Sequence, residues 1–251
     1  MTNPVTLVPK LGPRMPVPHG AGRTHTGLVR QVNEDAILTD PTGILWAVAD
    51  GMGGHGNGDI AADIVIDNLS RLPHSGDARQ MLRMALEDAN AQVFAKSQAM
   101  GHGIMGATIV ATIIEEGNAT IAWVGDSRVC MVRQGVLTRL TKDHSLVQEL
   151  VDSGVLAAEL AESHPQANVV TRAIGAAPEV QVSLIETELR AGDIILLCSD
   201  GLTKCVPDKV VAATMVQAPT PEAACAELVR AALRAGGPDN ISVITVFMDE
   251  A

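Results

Sequence analysis

Six acidic residues stand at sharp turns, beside glycine or next to an apolar run. They are Glu34, Asp35, Asp50, Asp126, Asp200 and Asp239. Strand-like stretches adjoin four of these places, at 44–49, 120–124, 194–198 and 241–246. A strand delivers an acid to the edge of a sheet, and a neighbouring glycine lets the backbone carbonyl approach an ion. Carboxylates gathered at one edge repel one another unless a cation neutralises them.

These oxygen donors, with few histidines or thiols among them, indicate Mg²⁺ or Mn²⁺ and not zinc. Sites with several carboxylates around divalent cations are typical of phosphoryl chemistry. A single Asp-Gly pair is more typical of an ordinary turn, so the prediction depends on the acids acting together. For Asp35 the favoured interpretation is a structural hydrogen-bonding acid, because in an extended segment it points away from Glu34.

The composition argues against several classes of function. The chain has 251 residues, 47% of them apolar and 2% aromatic, and a net charge of −11. Duplex nucleic acid needs a basic face and single strands need aromatic platforms, so no nucleic-acid partner is expected. No apolar stretch is long enough to cross a bilayer and no leader segment opens the chain, which predicts a cytoplasmic protein with no membrane partner. The four cysteines form no CxxC pair and are interpreted as core residues in a reducing compartment.

The order of elements predicts an α+β fold. Residues 1–20 are proline-rich and are expected to form an N-terminal tail ahead of one domain over 21–251. The pattern β, αα, ββββ, insertion, ββ, αα, β favours a central antiparallel β-sandwich with a pair of helices on each outer face, in α-β-β-α layers. The first strand is predicted at 23–27, and hairpin turns are predicted at Asn118 and at 134–135. Residues 141–175 are polar and short-helical, which indicates a mobile inserted subdomain.

Six segments of the chain resemble motifs of one known family. They are Val-Arg-Gln-Val-Asn-Glu-Asp at 29–35, Asp-Gly-Met-Gly-Gly-His at 50–55, Gly-Ala-Thr at 106–108, Gly-Asp-Ser-Arg at 125–128, Ser-Asp-Gly-Leu at 199–202 and Gly-Pro-Asp-Asn-Ile at 237–241. Together they resemble the bacterial branch of the metal-dependent serine/threonine protein phosphatases, the PP2C or PPM family. Each motif is weak alone, but six in order with family-like spacing are specific. The resemblance covers about 22–247 and makes 141–175 the family's flap.

The resemblance implies a binuclear centre that holds two Mn²⁺ or Mg²⁺ ions tightly. Asp50 would bridge the two ions. Glu34 and the carbonyl of Gly51 would complete the shell of one ion, and Asp200 and Asp239 would complete the shell of the other. Two cations that share a water lower its pKa, so attack on a phosphoester needs no nucleophile from the protein.

The resemblance also assigns Arg30 and Asp126, which with Asp50 are the predicted catalytic residues. Arg30 matches a phosphate-binding arginine, whose guanidinium can take two phosphate oxygens at once; an ordinary surface ion pair is the alternative. Asp126, with Asp200, matches a position that holds a third, weakly bound ion; a turn cap is the alternative. Eukaryotic members have a histidine directly after the Asp-Gly, where this chain has Met52. Histidine is therefore excluded as a general acid at that place, and His55 is expected to order the glycine-rich loop instead.

The chain is thus predicted to be a monomeric protein-serine/threonine phosphatase. Its partners would be phosphorylated proteins, which the resemblance makes targets of a Hanks-type kinase or a forkhead-associated protein, in some relatives within secretion machinery. Two alternatives stay open. A catalytically weak PP2C-like binding or sensor module usually lacks some of the acids, and all are present here. A small-molecule phosphomonoesterase is separated from a protein phosphatase only through the family.

Overall fold

The computed structural model describes residues 15–53, 57–73, 75–100 and 105–250. Within these ranges ten strands form two five-stranded sheets, and all the strand pairs are antiparallel. The first sheet contains, in spatial order, β1 (Val17–His25), β10 (Ile241–Asp249), β9 (Ile194–Cys198), β6 (Arg128–Arg133) and β7 (Val136–Arg139). The second contains β2 (Asp35–Thr39), β3 (Leu45–Gly53), β4 (Met105–Glu115), β5 (Asn118–Val124) and β8 (Ser183–Glu188).

The two sheets pack face to face around a common core. Successive residues of a strand point to opposite faces, so β3 serves two cores at once. Its Trp46 and Val48 lie between the sheets, whereas Leu45, Ala47 and Ala49 face the helices outside. Because both faces of the central strands are buried, these strands read in the sequence as continuous apolar runs.

Helices cover both outer faces of the sandwich. The second sheet is covered by α1 (Gly58–Ser70) and α2 (Ala78–Met100), and the first by α5 (Asp208–Gln217) and α6 (Pro221–Arg234). The helices bury apolar stripes with helical spacing, such as Ala61, Val65 and Leu69 in α1. The layers α-β-β-α predicted from the sequence are confirmed. None of the helices in the described ranges is both long enough and apolar enough to span a bilayer.

The segment 141–175, called the flap here, lies between β7 and β8. It contains α3 (Leu146–Asp152) and a short 3-10 helix at Ala158–Leu160. The Ser145 hydroxyl caps α3 by accepting the N–H of Gln148 at 3.3 Å. At the far edge of the flap, Ala107 of β4 and Ile174 exchange two backbone hydrogen bonds of 3.0 and 2.8 Å. The C-terminal end of the flap is therefore hydrogen-bonded to the second sheet. The mobility of the flap stays a prediction.

The structure differs from the sequence prediction at several boundaries. Strand β1 begins at Val17, within the segment assigned to the tail, because 17–25 pairs without interruption with β10. The turn before β5 consists of Glu116 and Gly117, both with positive φ. It therefore lies one to two residues earlier in the chain than the turn predicted at Asn118, which is the first residue of β5. A short helix, α4 (Asp200–Thr203), follows β9 and was not predicted. His55 lies outside the described residues.

Candidate metal centre

Five strands bring five aspartates to one end of the sandwich. Asp35 begins β2 and stands opposite Asp50 of β3 in the sheet register. Asp126 follows β5, Asp200 follows β9, and Asp239 comes two residues before β10. Because the strands are antiparallel, the ends of β3, β5 and β9 and the starts of β2 and β10 meet at the same edge. The architecture therefore brings the five aspartates together at one edge of the sandwich, as the sequence predicts.

The electrostatics of these side chains show how closely they converge. Burial raises the pKa of Asp50 well above its ordinary value, and the charges of Asp35, Asp200, Asp126 and Asp239 raise it further. Burial is also the main reason why the pKa values of Asp35 and Asp126 rise to about 7. The charged forms of these acids are thus unfavourable where they stand, which is the condition that a bound cation relieves.

Glu34 and Gly51 lie together beside this cluster. The Gly51 N–H donates to the carbonyl oxygen of Glu34 at 3.0 Å, and the Glu34 carboxylate accepts the N–H of Gly58 at 3.0 Å. A Cβ atom at position 51 would collide with the carbonyl of Gly58 and lie 2.6 Å from that of Glu34. Only glycine fits this close approach of three backbone segments.

Asn240 joins the acidic edge to the loop that carries Arg30. Its side-chain oxygen accepts the N–H of Glu34 at 2.8 Å, and its amide nitrogen donates to the carbonyls of Thr26 and Val32 at 2.9 Å each. The side chain is buried. Sequence reasoning assigned no role to Asn240, and its place directly after Asp239 was the signal that could have found it.

Asp35 sits differently from the other acids. The Ser199 hydroxyl donates to its Oδ2 at 2.9 Å and itself accepts the N–H of Ser242 at 3.0 Å. These contacts are those of the structural hydrogen-bonding acid that the sequence favoured. Its second oxygen, Oδ1, is buried and has no hydrogen-bond partner among the described residues.

Two of the acids are engaged by cations of the chain itself. The Nε atom of Arg30 is 2.9 Å from Asp239 Oδ1, and its Nη2 donates to Oδ2 at 3.1 Å. Lys204 forms an ion pair with Asp200. In the described part of the chain, no three or more Asp, Glu, His or Cys side chains are already spaced as a metal-binding set.

The residues nevertheless fit a hard divalent cation. The Oδ1 atom of Asp200, like that of Asp35, is buried without a hydrogen-bond partner in the described ranges. An unpaired buried carboxylate oxygen is costly, and a cation would satisfy it. The donors around the edge are carboxylate and carbonyl oxygens, which suit Mg²⁺ and Mn²⁺. The individual ligand assignments to Glu34, Asp50, Gly51, Asp126, Asp200 and Asp239 stay predictions.

His144 fixes the turn that carries Asp126. Its Nδ1 accepts the N–H of Gly125 at 3.0 Å, which leaves Nε2 as the protonated nitrogen, 2.9 Å from the Ser183 hydroxyl. The ring stacks on Trp123, with the centroids 5.9 Å apart. Burial lowers the pKa of His144 to about 4, so the ring is neutral at pH 7. The first residues of the flap are therefore tied to the acidic edge, a role that the sequence did not reveal.

A cavity of about 530 Å³ lies between the flap and this edge. The acidic side is formed by Asp126 and Asp200, together with Lys204. The flap contributes Val147 and Val151 of α3 beside Ser145 and Gln148, so its wall is partly apolar. A chain segment that carries a charged group and apolar neighbours could enter here with the charged group toward the acidic edge.

Comparison with known proteins gives consistent results. A family model for protein phosphatase 2C matches residues 20–235. The serine/threonine protein phosphatase PstP of Mycobacterium tuberculosis is 39% identical over 229 residues, which are 89% of this chain and 44% of PstP. The chain thus spans less than half the length of that relative.

Two solved structures share the fold over nearly their whole length. PppA, described as a key regulatory component of the type VI secretion system in Pseudomonas aeruginosa, superposes with a TM-score of 0.85 at 38% identity, covering 92% of this chain and 97% of PppA. A PstP catalytic domain in complex with two manganese ions superposes with a TM-score of 0.86 at 35% identity, covering 94% of this chain and 100% of that domain.

Proposed function

Because the chain belongs to the protein phosphatase 2C family, we propose that it hydrolyses phosphoserine and phosphothreonine in proteins. The observation that carries the proposal is the convergence of Asp50, Asp126, Asp200 and Asp239 at one edge, with Arg30 beside them. When bound there, two Mn²⁺ or Mg²⁺ ions would supply Lewis-acid activation of a water and of the phosphoryl group.

The chain's own residues have separate tasks in this proposal. Asp50 would hold both ions, with Glu34 and the Gly51 carbonyl on one side and Asp200 and Asp239 on the other. The carboxylates would also orient the attacking water in line with the ester bond. The flap and its cavity would receive the peptide around the phosphorylated residue and exclude bulk water.

Arg30 would receive the phosphate. Its side chain is 53% exposed, so a phosphate can reach it from solvent. Its planar guanidinium donates to both oxygens of Asp239, a geometry that also suits two phosphate oxygens. Asp239 is then the residue that orients Arg30 between substrates.

Several finer features are part of the proposal and rest on the sequence. A third, weaker ion would use Asp126 and Asp200. The substrates would be targets of a Hanks-type kinase or proteins bound to a forkhead-associated partner, and the similarity to PppA supports a search within secretion machinery. A cytoplasmic location, a monomeric state and a signalling role stay predictions.

The proposed activity is tested by comparing two substrates. The protein should release phosphate from a phosphothreonine peptide in the presence of Mn²⁺ and lose this activity in EDTA. A sugar phosphate serves as the competing substrate at equal concentration. Preferential turnover of the sugar phosphate would favour a small-molecule phosphomonoesterase, and no turnover of either would favour a binding or sensor module.

The substitution Arg30→Ala should raise the KM for the phosphopeptide and weaken product inhibition by phosphate. A hydrogen bond to a charged group is worth about 1.5–3 kcal/mol, so KM should rise by roughly tenfold or more. Steady-state kinetics at saturating Mn²⁺ give both constants.

The matched control for Arg30→Ala is Arg79→Ala. Arg79 is 45% exposed and pairs with Glu186 at 3.5 Å, away from the acidic edge. This variant should keep the parent's constants. If Arg30→Ala behaves in the same way, Arg30 is a surface residue in an ordinary ion pair.

A further inference from the structure

Lys204 places a positive charge inside the cavity under the flap. It forms an ion pair with Asp200, and both residues line the cavity together with Asp126. Asp126 is 7% exposed, and the side chains of Asp200 and Lys204 are 15% and 33% exposed. The Lys204 side chain is thus partly exposed, and its ammonium group is paired with Asp200 at the place where the sequence predicts a third cation.

The local fold explains why the lysine points there. Asp200 is the first residue of α4, and Lys204 follows its last. The Lys204 N–H donates to the Asp200 carbonyl at 2.8 Å, which closes one helical turn. Residues four apart on a turn lie on the same face, which brings the two side chains together.

The other charges around the cavity are already matched to one another. Arg128 donates to both oxygens of Asp143, from Nε to each at 3.1 Å and from Nη2 to Oδ2 at 2.7 Å. Arg139 is 3.8 Å from the same carboxylate and 4.0 Å from Glu162. Lys204 is therefore the cation in direct contact with Asp200 in the described lining of the cavity, and its charge also acts on Asp126, whereas Arg128 acts on Asp200 by charge alone.

We infer that the Lys204 ammonium is a tethered cation that competes with a third divalent ion for Asp126 and Asp200. Such an ion would have to displace Lys204 from Asp200 Oδ2, whereas the tight ion assigned to Asp200 would use Oδ1, which has no hydrogen-bond partner among the described residues. The attachment of Lys204 to the same helical turn gives it a high effective concentration. Any ion that entered with Lys204 in place would also meet a like charge at close range. The chain should then bind two divalent ions tightly and a third only weakly. The inference rests on the proposed two-ion centre.

The test counts metal ions and measures their affinities. Equilibrium dialysis with elemental analysis and titration calorimetry with Mn²⁺ are applied to the parent and to Lys204→Met, which keeps the length of the side chain and removes its charge. The variant should bind a third Mn²⁺ at least about tenfold more tightly than the parent, because a like charge near the ion is gone. In EDTA the melting temperature of the variant should be lower than that of the parent. The increase in melting temperature on addition of Mn²⁺ should be larger for the variant than for the parent.

Three further variants make the result specific. Lys209→Met makes the same change on α5 at an exposed residue outside the cavity lining and should behave as the parent. Lys204→Arg keeps the charge and should keep the third ion weak. In the Lys204→Met background, Asp126→Asn should remove the gained ion and leave the two tight ions in place.

The outcomes separate this inference from the proposed function. If Lys204→Met binds two ions with the parent's affinities and gains no third, Lys204 does not compete for the site and the inference is wrong, while the two-ion centre stands. If neither protein binds Mn²⁺ tightly, the proposed metal centre is wrong and the inference is overturned with it. If Lys209→Met gains a third ion to the same extent, the effect arises from the net charge of the protein and not from the position of Lys204, and the inference is also wrong.

Discussion

Replacement of Asp50 by asparagine is expected to abolish most phosphatase activity without unfolding the protein. Asp50 is the residue on which the charges of four other aspartates act, and the proposed bridge between two ions depends on it. Loss of several kcal/mol of metal-dependent stabilisation of the transition state corresponds to a decrease in kcat of about 10²-fold or more. Turnover of a phosphothreonine peptide in saturating Mn²⁺ measures this.

The same substitution should not lower the stability of the metal-free protein, although it lowers the activity. Burial and like charges oppose ionisation of Asp50, and a neutral amide of similar size removes both penalties. The melting temperature in EDTA should therefore equal or exceed the parent's, whereas the increase caused by Mn²⁺ should largely disappear. A loss of activity combined with a lower melting temperature in EDTA would instead identify Asp50 as a structural residue.

The control for Asp50→Asn is Asp63→Asn. Asp63 lies exposed on α1, so this change removes the same charge from a solvated position. It should keep the parent's turnover and its response to Mn²⁺. Near-normal turnover of Asp50→Asn in saturating Mn²⁺ would refute the bridging assignment.

The sequence predicted the layers of the fold because its helical spacing and its apolar strand runs are both clear. The helical apolar spacing over 59–72 and the apolar runs of the central strands leave few other arrangements. Strand β1 was placed too late in the chain because prolines and glycines hide its pattern, and its pairing with β10 is a tertiary effect. The one-turn helix α4 is too short for any periodicity to show.

The acids of the candidate site were predicted from their types and spacing, but their partners were not. Asn240, His144 and Lys204 act through contacts between residues far apart in the chain or through a single short turn. Sequence spacing shows which groups a chain carries to one edge. It does not show which of them neutralise or orient one another, because that depends on distances set by the packed sheets.

The pH dependence of stability in the absence of metal is the second large effect. In the folded protein the pKa values of Asp35 and Asp126 lie at about 7, compared with about 3.9 for an unfolded aspartate. Between these values the folded protein binds more protons than the unfolded chain, so the free energy of unfolding falls as the pH rises from about 4 to 7. The pKa values of Asp50 and Asp200 are raised as well and act in the same direction.

His144 opposes this trend only in part. Its pKa is lowered to about 4, so the unfolded chain binds the extra proton below about pH 6.5 and this contribution rises with pH. One histidine that is half-buried acts against several buried carboxylates, so the carboxylates should dominate. Since 1 kcal/mol shifts the melting temperature of a domain of this size by roughly 2–4 °C, a decrease of about 5 °C or more is expected in EDTA between pH 5 and pH 8.

Mn²⁺ should reverse the trend, because an ion binds the ionised carboxylates and adds no stability where they are protonated. At a hundred times its dissociation constant, a ligand that binds only the folded state adds about 2.7 kcal/mol. The increase in melting temperature on adding Mn²⁺ should thus be larger at pH 8 than at pH 5, and it should be largely lost in Asp50→Asn but kept in Asp63→Asn. Calorimetric scans at the two pH values, with EDTA and with Mn²⁺, give all four melting temperatures for each protein. A melting temperature in EDTA that rises from pH 5 to pH 8, or one that Mn²⁺ leaves unchanged at both, would show that the carboxylates do not form one charged cluster.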